Sequence, residues 1–348
     1  MNNGPICVTG ASGFIGAQIV AALLDKGYQV RGTVRSLSEP GKYDFLTSLP
    51  GADERLELVE GQLLTEGSYD DAVSGCTAVF HVASPYFLDV EDPQRDLVDP
   101  AVEGTLNVLR SCAKANSVQR VVLTSSVTAI SDEPVEGKVF SEKDWNEKST
   151  LTRNPYYLSK VKAEKAAWEF AEDKDIGFDL VVINPSLVIG PSLSPTLSTS
   201  NGTLRELLGG GIPALFNLDY NLVDVRDVAQ AHILALENPK ASGRYLCFNE
   251  AMSMEEIVDL LKREGYGGYP LPKMNLCSPL GNGLTKILAY AQPQGTRSFL
   301  HTHVGKVMLY DNSKIQQELG LTFIPVEQSV LDTVSDLLQW GHLEPLSV

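Results

Sequence analysis

A glycine-rich turn near the start of the chain restricts the fold more than any other feature of the sequence. An apolar run of strand length, Ile6–Thr9, leads through Gly10 and Gly13 to Gly16, and helical spacing extends over Phe14–Lys26. In this context Gly10 permits a tight turn, Gly13 lets the backbone approach a pyrophosphate, and Gly16 allows close helix–strand packing. The N–H groups and dipole of a helix N-terminus attract phosphate. The sequence therefore predicts a dinucleotide-binding unit.

Strand-length apolar runs alternate with helical stretches through the first half of the chain. Continuously apolar strands separated by helices are typical of a parallel sheet covered on both faces. We therefore predict an α/β fold with a Rossmann doubly wound parallel sheet over residues 1–185. The predicted strands are Ile6–Thr9, Gln29–Val34, Leu56–Val59, Ala78–Val82, Arg120–Thr124 and Leu180–Ile183, and the predicted helices are Phe14–Lys26, Ala101–Ala115 and Tyr156–Glu172.

The pattern becomes less regular after Pro185. Pro191–Asn201 and Gly265–Gly283 have the serine, proline and glycine content of loops. We predict a smaller, partly discontinuous C-terminal substrate lobe over residues 186–348, from which residues 221–250 return to the first domain. The elements predicted here are the strands Leu222–Val225 and Tyr245–Phe248 and the helices Asp227–Glu237, Ser313–Leu319 and Val326–Gln339.

The charge balance excludes two classes of partner. The 348 residues include 28 Lys and Arg against 44 Asp and Glu, a formal net charge of −16 at pH 7, which repels nucleic acids and anionic membranes. No apolar run reaches the ~18 residues of a membrane span. The strand-like start at Ile6 leaves no room for a signal peptide. Five scattered cysteines without a C-x-x-C pair are typical of buried thiols. We expect a cytoplasmic protein.

Several polar residues are predicted to have structural roles and not catalytic or metal-binding ones. His301 and His303 could share a face of a strand, but no third ligand at useful spacing accompanies them, so we expect no metal site. His81 and His232 lie inside apolar stretches and are predicted to be hydrogen-bonded structural residues. Asn107 lies on the predicted helix Ala101–Ala115, and we expect it to have a packing role in preference to a role in a water relay.

The end of the second predicted strand distinguishes between the two nicotinamide cofactors. NAD selection usually needs an acid near this point for the ribose 2′-OH, whereas NADP selection places a cation there. The strand ends in Arg35, no acid comes before Glu39, and Lys42 follows. A guanidinium pairs bidentately with a 2′-phosphate, which a carboxylate would repel. The sequence therefore favours NADP(H).

A tyrosine and a lysine four residues apart occur three times, and one of these pairs has a context suited to catalysis. Tyr156 and Lys160 open a long helical stretch, where residues i and i+4 share a face. A nearby ammonium lowers the pKa of a phenol from its usual value of ~10, as an acid–base tyrosine requires. The other pairs span two prolines or a turn-like sequence: Tyr269/Lys273 and Tyr310/Lys314.

Hydroxyl side chains follow the strand that precedes this helix. Thr124, Ser125 and Ser126 lie at the predicted carboxyl edge of the sheet. Ligands of parallel sheets bind outside that edge. The sequence therefore predicts that serine, tyrosine and lysine converge beside the nicotinamide.

The chain resembles a known enzyme family in seven motifs that occur in the family's order: V-T-G-A-S-G-F-I-G, T-V-R, F-H-V-A-S-P, V-V-L-T-S-S, Y-Y-L-S-K, I-N-P-S-L-V-I-G-P and V-D-V-R-D-V-A-Q-A-H. These motifs resemble the extended short-chain dehydrogenase/reductases. Within them the chain is similar to the dihydroflavonol 4-reductase and cinnamoyl-CoA reductase group with its microbial NADPH-dependent aldehyde and ketone reductases. The resemblance extends over nearly the whole chain and implies NADPH-dependent carbonyl reduction.

The resemblance also implies roles for individual residues. Tyr156 is the general acid, Lys160 binds the nicotinamide ribose and tunes Tyr156, and Ser126 bonds the substrate carbonyl. The glycines hold the pyrophosphate, and Arg35 with Lys42 holds the 2′-phosphate. The full set of implied cofactor contacts is Gly10, Ser12, Gly13, Phe14, Ile15, Gly16, Arg35, Lys42, Gln62, Leu63, Val82, Ala83, Ser84, Thr124, Tyr156, Lys160, Pro185 and Val188.

Three positions depart from the family pattern. Gln62 stands where an Asp usually contacts the adenine, and its amide can still accept a hydrogen bond. Ser131 replaces the Asn with which plant dihydroflavonol reductases contact the flavonoid. The motif N-W-Y-C-Y-G-K of cinnamoyl-CoA reductases is here N-P-Y-Y-L-S-K. The last two departures favour a broader aldehyde or ketone reductase over an enzyme for one plant substrate.

We therefore predict a reductase that transfers a hydride from NADPH to an aldehyde or ketone and yields an alcohol. The predicted partner is a small-molecule carbonyl substrate, which Tyr86, Phe87 and Phe216 border, and the predicted assembly is a monomer or homodimer. Two alternatives share the scaffold: an NAD-dependent nucleotide-sugar epimerase or dehydratase, and a non-catalytic NADP-sensing regulator. Arg35 disfavours the first, and the joint presence of Ser126, Tyr156 and Lys160 disfavours the second.

Overall fold

The computed structural model describes residues 4–84, 90–173 and 175–346, so Tyr86 and Phe87 lie outside the described residues. The strands are β1 (Ile6–Thr9), β2 (Val30–Val34), β3 (Leu56–Glu60), β4 (Ala78–His81), β5 (Arg120–Thr124), β6 (Val139–Phe140), β7 (Asp179–Pro185), β8 (Leu187–Ile189), β9 (Ala214–Leu215), β10 (Asp219–Asp224), β11 (Gly243–Cys247), β12 (Glu250–Ser253), β13 (Met274–Asn275) and β14 (Leu309–Tyr310).

The helices differ widely in length. They are α1 (Phe14–Asp25), α2 (Asp44–Thr47), α3 (Ala52–Arg55), α4 (Asp70–Val73), α5 (Asp99–Ala115), α6 (Pro155–Ala171), α7 (Thr199–Leu208), α8 (Val225–Glu237), α9 (Met254–Arg263), α10 (Pro279–Leu288), α11 (Gln294–His303), α12 (Ser313–Leu319) and α13 (Val326–Gln339). A short 3-10 helix, Val127–Ala129, follows β5. Within the described ranges, none of these helices combines the length and the apolar character that crossing a membrane requires.

Seven parallel strands form the central sheet in the spatial order β3-β2-β1-β4-β5-β7-β11. Ile6 of β1 lies between Val30 of β2 and Ala78 of β4. The strand order reverses between β1 and β4, and ligands of open parallel sheets bind at such a reversal, outside the carboxyl ends of the strands. The predicted Rossmann-like α/β fold is confirmed.

Helices cover both faces of this sheet, so its inner strands, such as β1 and β4, are buried on both sides. On one face α1 packs against α8, and their apolar side chains share one core cluster with Val8 and Phe80. On the other face α5 packs against α6, around Val79 and Val121. The free thiols Cys7, Cys76, Cys112 and Cys247 are buried, as predicted, whereas Cys277 is half-buried. The two layers hold the carboxyl edge of the sheet in a fixed position.

The second half of the chain builds a lobe and also returns to the central sheet. β8, β10 and β12 form a three-stranded sheet, which packs with α7, α9 and α13 around a second apolar core. β11 lies at the edge of the central sheet beside β7. Of the segment 221–250, β11 therefore joins the central sheet while β10 pairs within the lobe. The domain boundaries stay a prediction.

Two segments that were predicted to be loops contain the starts of helices. α7 begins inside Pro191–Asn201, and α10 begins inside Gly265–Gly283. The Ser198 hydroxyl accepts a hydrogen bond from Asn201 N, and the Ser278 hydroxyl accepts one from Gly281 N. The loop prediction was wrong here because serine, proline and glycine belong to the caps and first turns of helices as well as to loops.

Gly16→Ala is expected to destabilise the protein by about 1–3 kcal/mol, the usual cost of overpacking. A Cβ at Gly16 would lie 2.2 Å from the carbonyl oxygen of Gly10, so backbone would have to move. Gly283→Ala on α10 is the matched control, since nothing lies within 4 Å of its Cβ, and it should be neutral or slightly stabilising. Urea denaturation measures both, and equal free energies of unfolding would contradict the expected contact.

Candidate functional site

The turn between β1 and α1 has the shape of a dinucleotide cradle. Gly10 has φ = 66°, a conformation that favours glycine, and a Cβ there would lie 3.1 Å from the Cα of Ala83. Gly13 is the N-cap of α1, and no described side chain caps that helix end. Ser12 precedes the cap, while half-buried Phe14 and Ile15 form the first turn. The backbone N–H groups of this end are therefore suited to a phosphate.

Thr9, at the end of β1, holds the next strand end in place. Its hydroxyl oxygen accepts hydrogen bonds from Val82 N and Ala83 N, both at 3.0 Å, so its hydrogen is directed at His81 Nδ1, 2.9 Å away. Burial, with a smaller effect of Lys160, lowers the pKa of His81 to about 3, so the ring is neutral. This arrangement fixes the predicted cofactor residues after β4. The structural role predicted for His81 is confirmed by this hydrogen bond, whereas the role of Thr9 was not predicted.

The predicted 2′-phosphate residues lie near each other beyond β2. Arg35 is exposed and forms no salt bridge with any residue in the described ranges. Lys42 Nζ pairs with Glu39 Oε1 at 2.6 Å, and the hydrogen bond from this partner raises the pKa of Lys42, while the nearby charge of Arg35 opposes that rise. Arg35 is thus free to bind an anion, whereas Lys42 shares its charge with Glu39.

The loop after β3 is held by a side chain from α5. Asn107 Nδ2 donates to the carbonyl oxygens of Leu63 and Thr65, and Asn107 Oδ1 accepts from Gly67 N at 3.1 Å. Gln62 is exposed, and Leu63 packs against Gly104. These three hydrogen bonds give Asn107 a structural part in holding the loop, and its packing role stays a prediction.

The predicted acid–base pair lies on α6 in contact with the strand end that Thr9 fixes. Lys160 Nζ donates to Ser84 Oγ at 2.9 Å and lies 5.7 Å from the centre of the Tyr156 ring. Lys160 is 7 % exposed. Burial lowers the pKa of Lys160 to about 8, and the carboxylate of Glu164 opposes this effect. Lysine, tyrosine and a predicted cofactor residue are therefore brought together.

A polar network fixes the start of α6. Pro155 occupies the first helical turn, and Asn154 precedes it with φ = 48°, an unusual conformation for a residue other than glycine. Buried Asp132 accepts hydrogen bonds from Asn154 Nδ2 at 2.9 Å, from Ser149 Oγ at 2.5 Å and from Arg153 Nη2 at 2.6 Å. The network sets the direction of α6 and hence of Tyr156. No local pattern in the sequence indicates this network.

Ser126 lies at the N-cap of the 3-10 helix that packs against α6. Its hydroxyl oxygen accepts from Thr128 N at 3.2 Å, which leaves the hydroxyl hydrogen able to donate to another group. The backbone carbonyl of Ser126 accepts from Asn184 Nδ2 at 3.1 Å. The half-buried serine is thus held at both its side chain and its backbone.

The remaining predicted cofactor residues lie along the same edge of the sheet. Thr124 Oγ1 donates to His232 Nε2 at 2.7 Å, because His232 Nδ1 donates to Val228 O. Burial lowers the pKa of His232 to about 4, so this structural ring is neutral. Pro185 ends β7, and buried Val188 lies in β8. The structure therefore places these residues at the predicted edge, with the Thr124 hydroxyl already engaged.

Two features differ from the expectations drawn from the sequence. His301 and His303 were expected to be solvated loop residues, but they lie on α11 and are half-buried, and residues two apart on a helix do not share a face. His303 stacks on Phe299 at 4.4 Å between ring centres. Ser131 is buried, and its hydroxyl lies 2.6 Å from Tyr310 OH. His303 thus belongs to an aromatic cluster beside α6, with Phe299 and Tyr157.

Comparison with protein families gives a match over residues 6–249 to the NAD dependent epimerase/dehydratase family. The chain belongs to this family. The resemblance to the extended short-chain dehydrogenase/reductases is thereby confirmed, and the matched range contains the glycine turn, Tyr156 and Lys160.

Individual relatives of this family member are reductases. The chain is 42% identical to cinnamoyl-CoA reductase CAD2 of Medicago truncatula over 341 residues, which is 95% of each chain. It is 39% identical to dihydroflavonol 4-reductase of Zea mays over 78% of this chain and 76% of the relative. Among solved structures, yeast methylglyoxal/isovaleraldehyde reductase Gre2 complexed with NADPH superposes with a TM-score of 0.79 at 29% identity, covering 97% of this chain and 100% of that chain.

Proposed function

We propose that this protein is an NADPH-dependent reductase that converts an aldehyde or ketone into an alcohol. One series of contacts carries the proposal. Gly10 of the phosphate turn lies against Ala83, the adjacent Ser84 accepts a hydrogen bond from Lys160, and Lys160 lies beside Tyr156. A nucleotide turn and an acid–base pair therefore share one edge of the sheet, as hydride transfer to a carbonyl requires.

The cofactor of this reductase is NADP(H). Its pyrophosphate fits the turn of Gly10, Gly13 and Gly16, where glycines leave room for a close approach. Arg35 would hold the 2′-phosphate, because its guanidinium is exposed and forms no salt bridge within the described ranges. The yeast Gre2 relative is an NADPH complex, which supports the same assignment.

The chain's own groups would manage the proton and the developing charge. The bound cofactor supplies a hydride to the carbonyl carbon. Tyr156 donates its phenolic proton to the carbonyl oxygen, and Ser126 donates a hydrogen bond to the same atom. The Lys160 ammonium stabilises the phenolate that Tyr156 becomes. Binding also holds the carbonyl in place, so positioning contributes to the rate.

The substrate we propose is a small aldehyde or ketone and not a flavonoid. Ser131 stands where dihydroflavonol reductases carry an Asn, and its hydroxyl is directed at Tyr310 OH, 2.6 Å away. The activity in the yeast relative's name, reduction of methylglyoxal and isovaleraldehyde, supports this class. Because one relative is a cinnamoyl-CoA reductase, a thioester is also included among the substrates to be tested.

Steady-state assays with the purified protein test the proposal. NADPH oxidation is followed with aliphatic aldehydes, aryl ketones, 2-ketoesters, a cinnamoyl thioester and a dihydroflavonol. We expect turnover with at least one aldehyde or ketone and far slower turnover with NADH. An oxidised NAD that stays bound through purification would instead favour the epimerase or dehydratase alternative. NADPH binding without consumption of any carbonyl compound would favour a regulator.

A further inference from the structure

The carboxylate of Glu164 is fully buried one turn beyond Lys160 on α6. Tyr156, Lys160 and Glu164 occupy positions i, i+4 and i+8, which lie along the same side of a helix. Burying a carboxylate is costly unless its oxygens are paired with donors. The groups that pair with it therefore indicate what it does.

Donors from four parts of the chain surround this carboxylate. Glu164 Oε1 accepts from Arg244 Nε of β11 at 2.6 Å and from Trp168 Nε1 of α6 at 3.3 Å. Glu164 Oε2 accepts from Ser125 Oγ, after β5, at 2.5 Å and from Asn184 Nδ2 of β7 at 2.8 Å. The carboxylate thus connects the helix of the acid–base pair with three strands of the central sheet.

Two of these donors lead directly to Ser126. Ser125 is its neighbour in the chain, and Asn184 Nδ2 donates both to Glu164 and to the Ser126 carbonyl oxygen. Asn184 is completely buried. The position of the Asn184 amide, and with it the backbone of Ser126, therefore depends on the Glu164 carboxylate.

The same carboxylate also acts on the charge of Lys160. Burial favours neutral Lys160, and the negative charge of Glu164 opposes this by favouring the ammonium. The other groups that face Lys160 are the Tyr156 ring on the same helix, Ser84, and His81 across from β4, whose ring is neutral. Glu164 is therefore the acidic side chain that supports the lysine's charge in the described part of the chain.

We propose that Glu164 is a positioning residue that keeps Lys160 cationic and Ser126 in place for carbonyl reduction. The inference rests on the proposed function. A buried ion pair such as Glu164–Arg244 is a weak source of net stability, because desolvation offsets most of the attraction. The buried carboxylate therefore serves to set the charge of Lys160 and the position of Ser126.

In Glu164→Gln, the fall of kcat at alkaline pH is expected to occur about one pH unit lower than in the wild type. The loss of NADPH affinity at high pH should shift by the same amount. Without the carboxylate the Lys160 ammonium is less stable, so it loses its proton at a lower pH. Cofactor fluorescence measures the NADPH Kd between pH 6 and 9.5 independently of turnover. Glu169→Gln, on the exposed side of the same helix, is the matched control and should follow the wild type.

Two further variants distinguish the effect on the position of Ser126, the effect on the charge of Lys160 and a general effect on folding. Glu164→Gln with Arg244→Gln removes the whole ion pair, so it avoids an unpaired buried guanidinium and should show the same shift of the limb. Asn184→Ala keeps both charges but releases the Ser126 carbonyl, so kcat should fall roughly tenfold with an unchanged limb and a smaller change in substrate KM. If neither Glu164 variant folds, Asn184→Ala still decides the positioning role, because it tests the hold on Ser126 without changing a charge.

If folded Glu164→Gln shows the same alkaline limb as the wild type, for both kcat and NADPH Kd, the charge role is overturned. If Asn184→Ala keeps the wild-type kcat, the positioning role is overturned. Failure of the proposed function is a different result. In that case the wild-type protein consumes no carbonyl substrate, while the NADPH Kd profiles still report on Lys160.

Discussion

Tyr156→Phe is expected to lower kcat by roughly 10³-fold, within the ~10²–10⁴ range of general acid–base catalysis. The variant keeps the ring that contacts Tyr157, with 6.3 Å between ring centres, and removes the proton that the carbonyl oxygen needs. Because the phenylalanine fills the same space, the melting temperature and the NADPH Kd should stay close to the wild-type values. Stopped-flow and steady-state NADPH oxidation measure the loss.

Tyr157→Phe is the matched control, since it removes the same atom from the adjacent residue. Tyr157 contacts His303, with 6.2 Å between ring centres, so the change tests the surroundings of α6 and leaves the Tyr156 hydroxyl in place. We expect this variant to keep most of the wild-type kcat. Retention of more than about a tenth of the activity in Tyr156→Phe would exclude this tyrosine as the proton donor.

Arg35→Gln is expected to raise the NADPH Kd by about 10–100-fold and to change the NADH Kd by less than about threefold. Charge-assisted hydrogen bonds contribute roughly 1.5–3 kcal/mol each, and NADH lacks the phosphate that would accept them. Lys42→Gln should have a smaller effect, because Lys42 already pairs with Glu39. Isothermal titration with both cofactors measures the ratio.

The control for Arg35 is Arg110→Gln, a change of the same type on α5, where Arg110 pairs loosely with Glu103 at 3.6 Å. It should leave the affinities for both cofactors unchanged. An equal loss of NADPH and NADH affinity in Arg35→Gln would mean that the side chain supports the fold of the loop. No loss of either affinity would place the 2′-phosphate elsewhere.

The central sheet could be predicted from sequence because its strands are apolar on both faces. β1 and β5 have the predicted bounds, and β2, β3, β4 and β7 differ from them by one to three residues in all. Buried parallel strands appear in the sequence as uninterrupted apolar runs, and the intervening helices show apolar residues at helical spacing. The same signal placed Thr124, Ser125 and Ser126 at the carboxyl edge.

The lobe was harder to predict because its helices start on residues that are also common in loops. α9 begins at Met254, and the hydroxyl of its N-cap, Ser253, accepts from Glu256 N while the Glu256 carboxylate accepts from Ser253 N. That capping box is visible in the sequence and could have indicated the helix. α11 carries few apolar residues, and its position beside α6 depends on tertiary contacts such as the Ser298 hydroxyl that accepts from Asn154 N.

The buried polar networks of the site could not be predicted from one sequence. Glu164 and Arg244 are 80 positions apart, and Thr9 and His81 are 72 apart. A helical or strand period reports which side of an element is apolar, but no local pattern indicates which distant donor meets a buried acceptor. Motifs therefore identified the groups proposed to touch the substrate, and the structure was needed for the groups that hold them.

Transfer of isotope from labelled cofactor to product tests the central claim most directly. The purified protein is incubated with NADPH deuterated at C4, in separate reactions for the two faces of the ring, together with the most active aldehyde from the panel. One of the two labelled cofactors should place a single deuterium on the carbinol carbon of the alcohol, as detected by mass spectrometry and NMR. An alcohol without deuterium in both reactions, or no alcohol at all, would contradict NADPH-dependent carbonyl reduction by this protein.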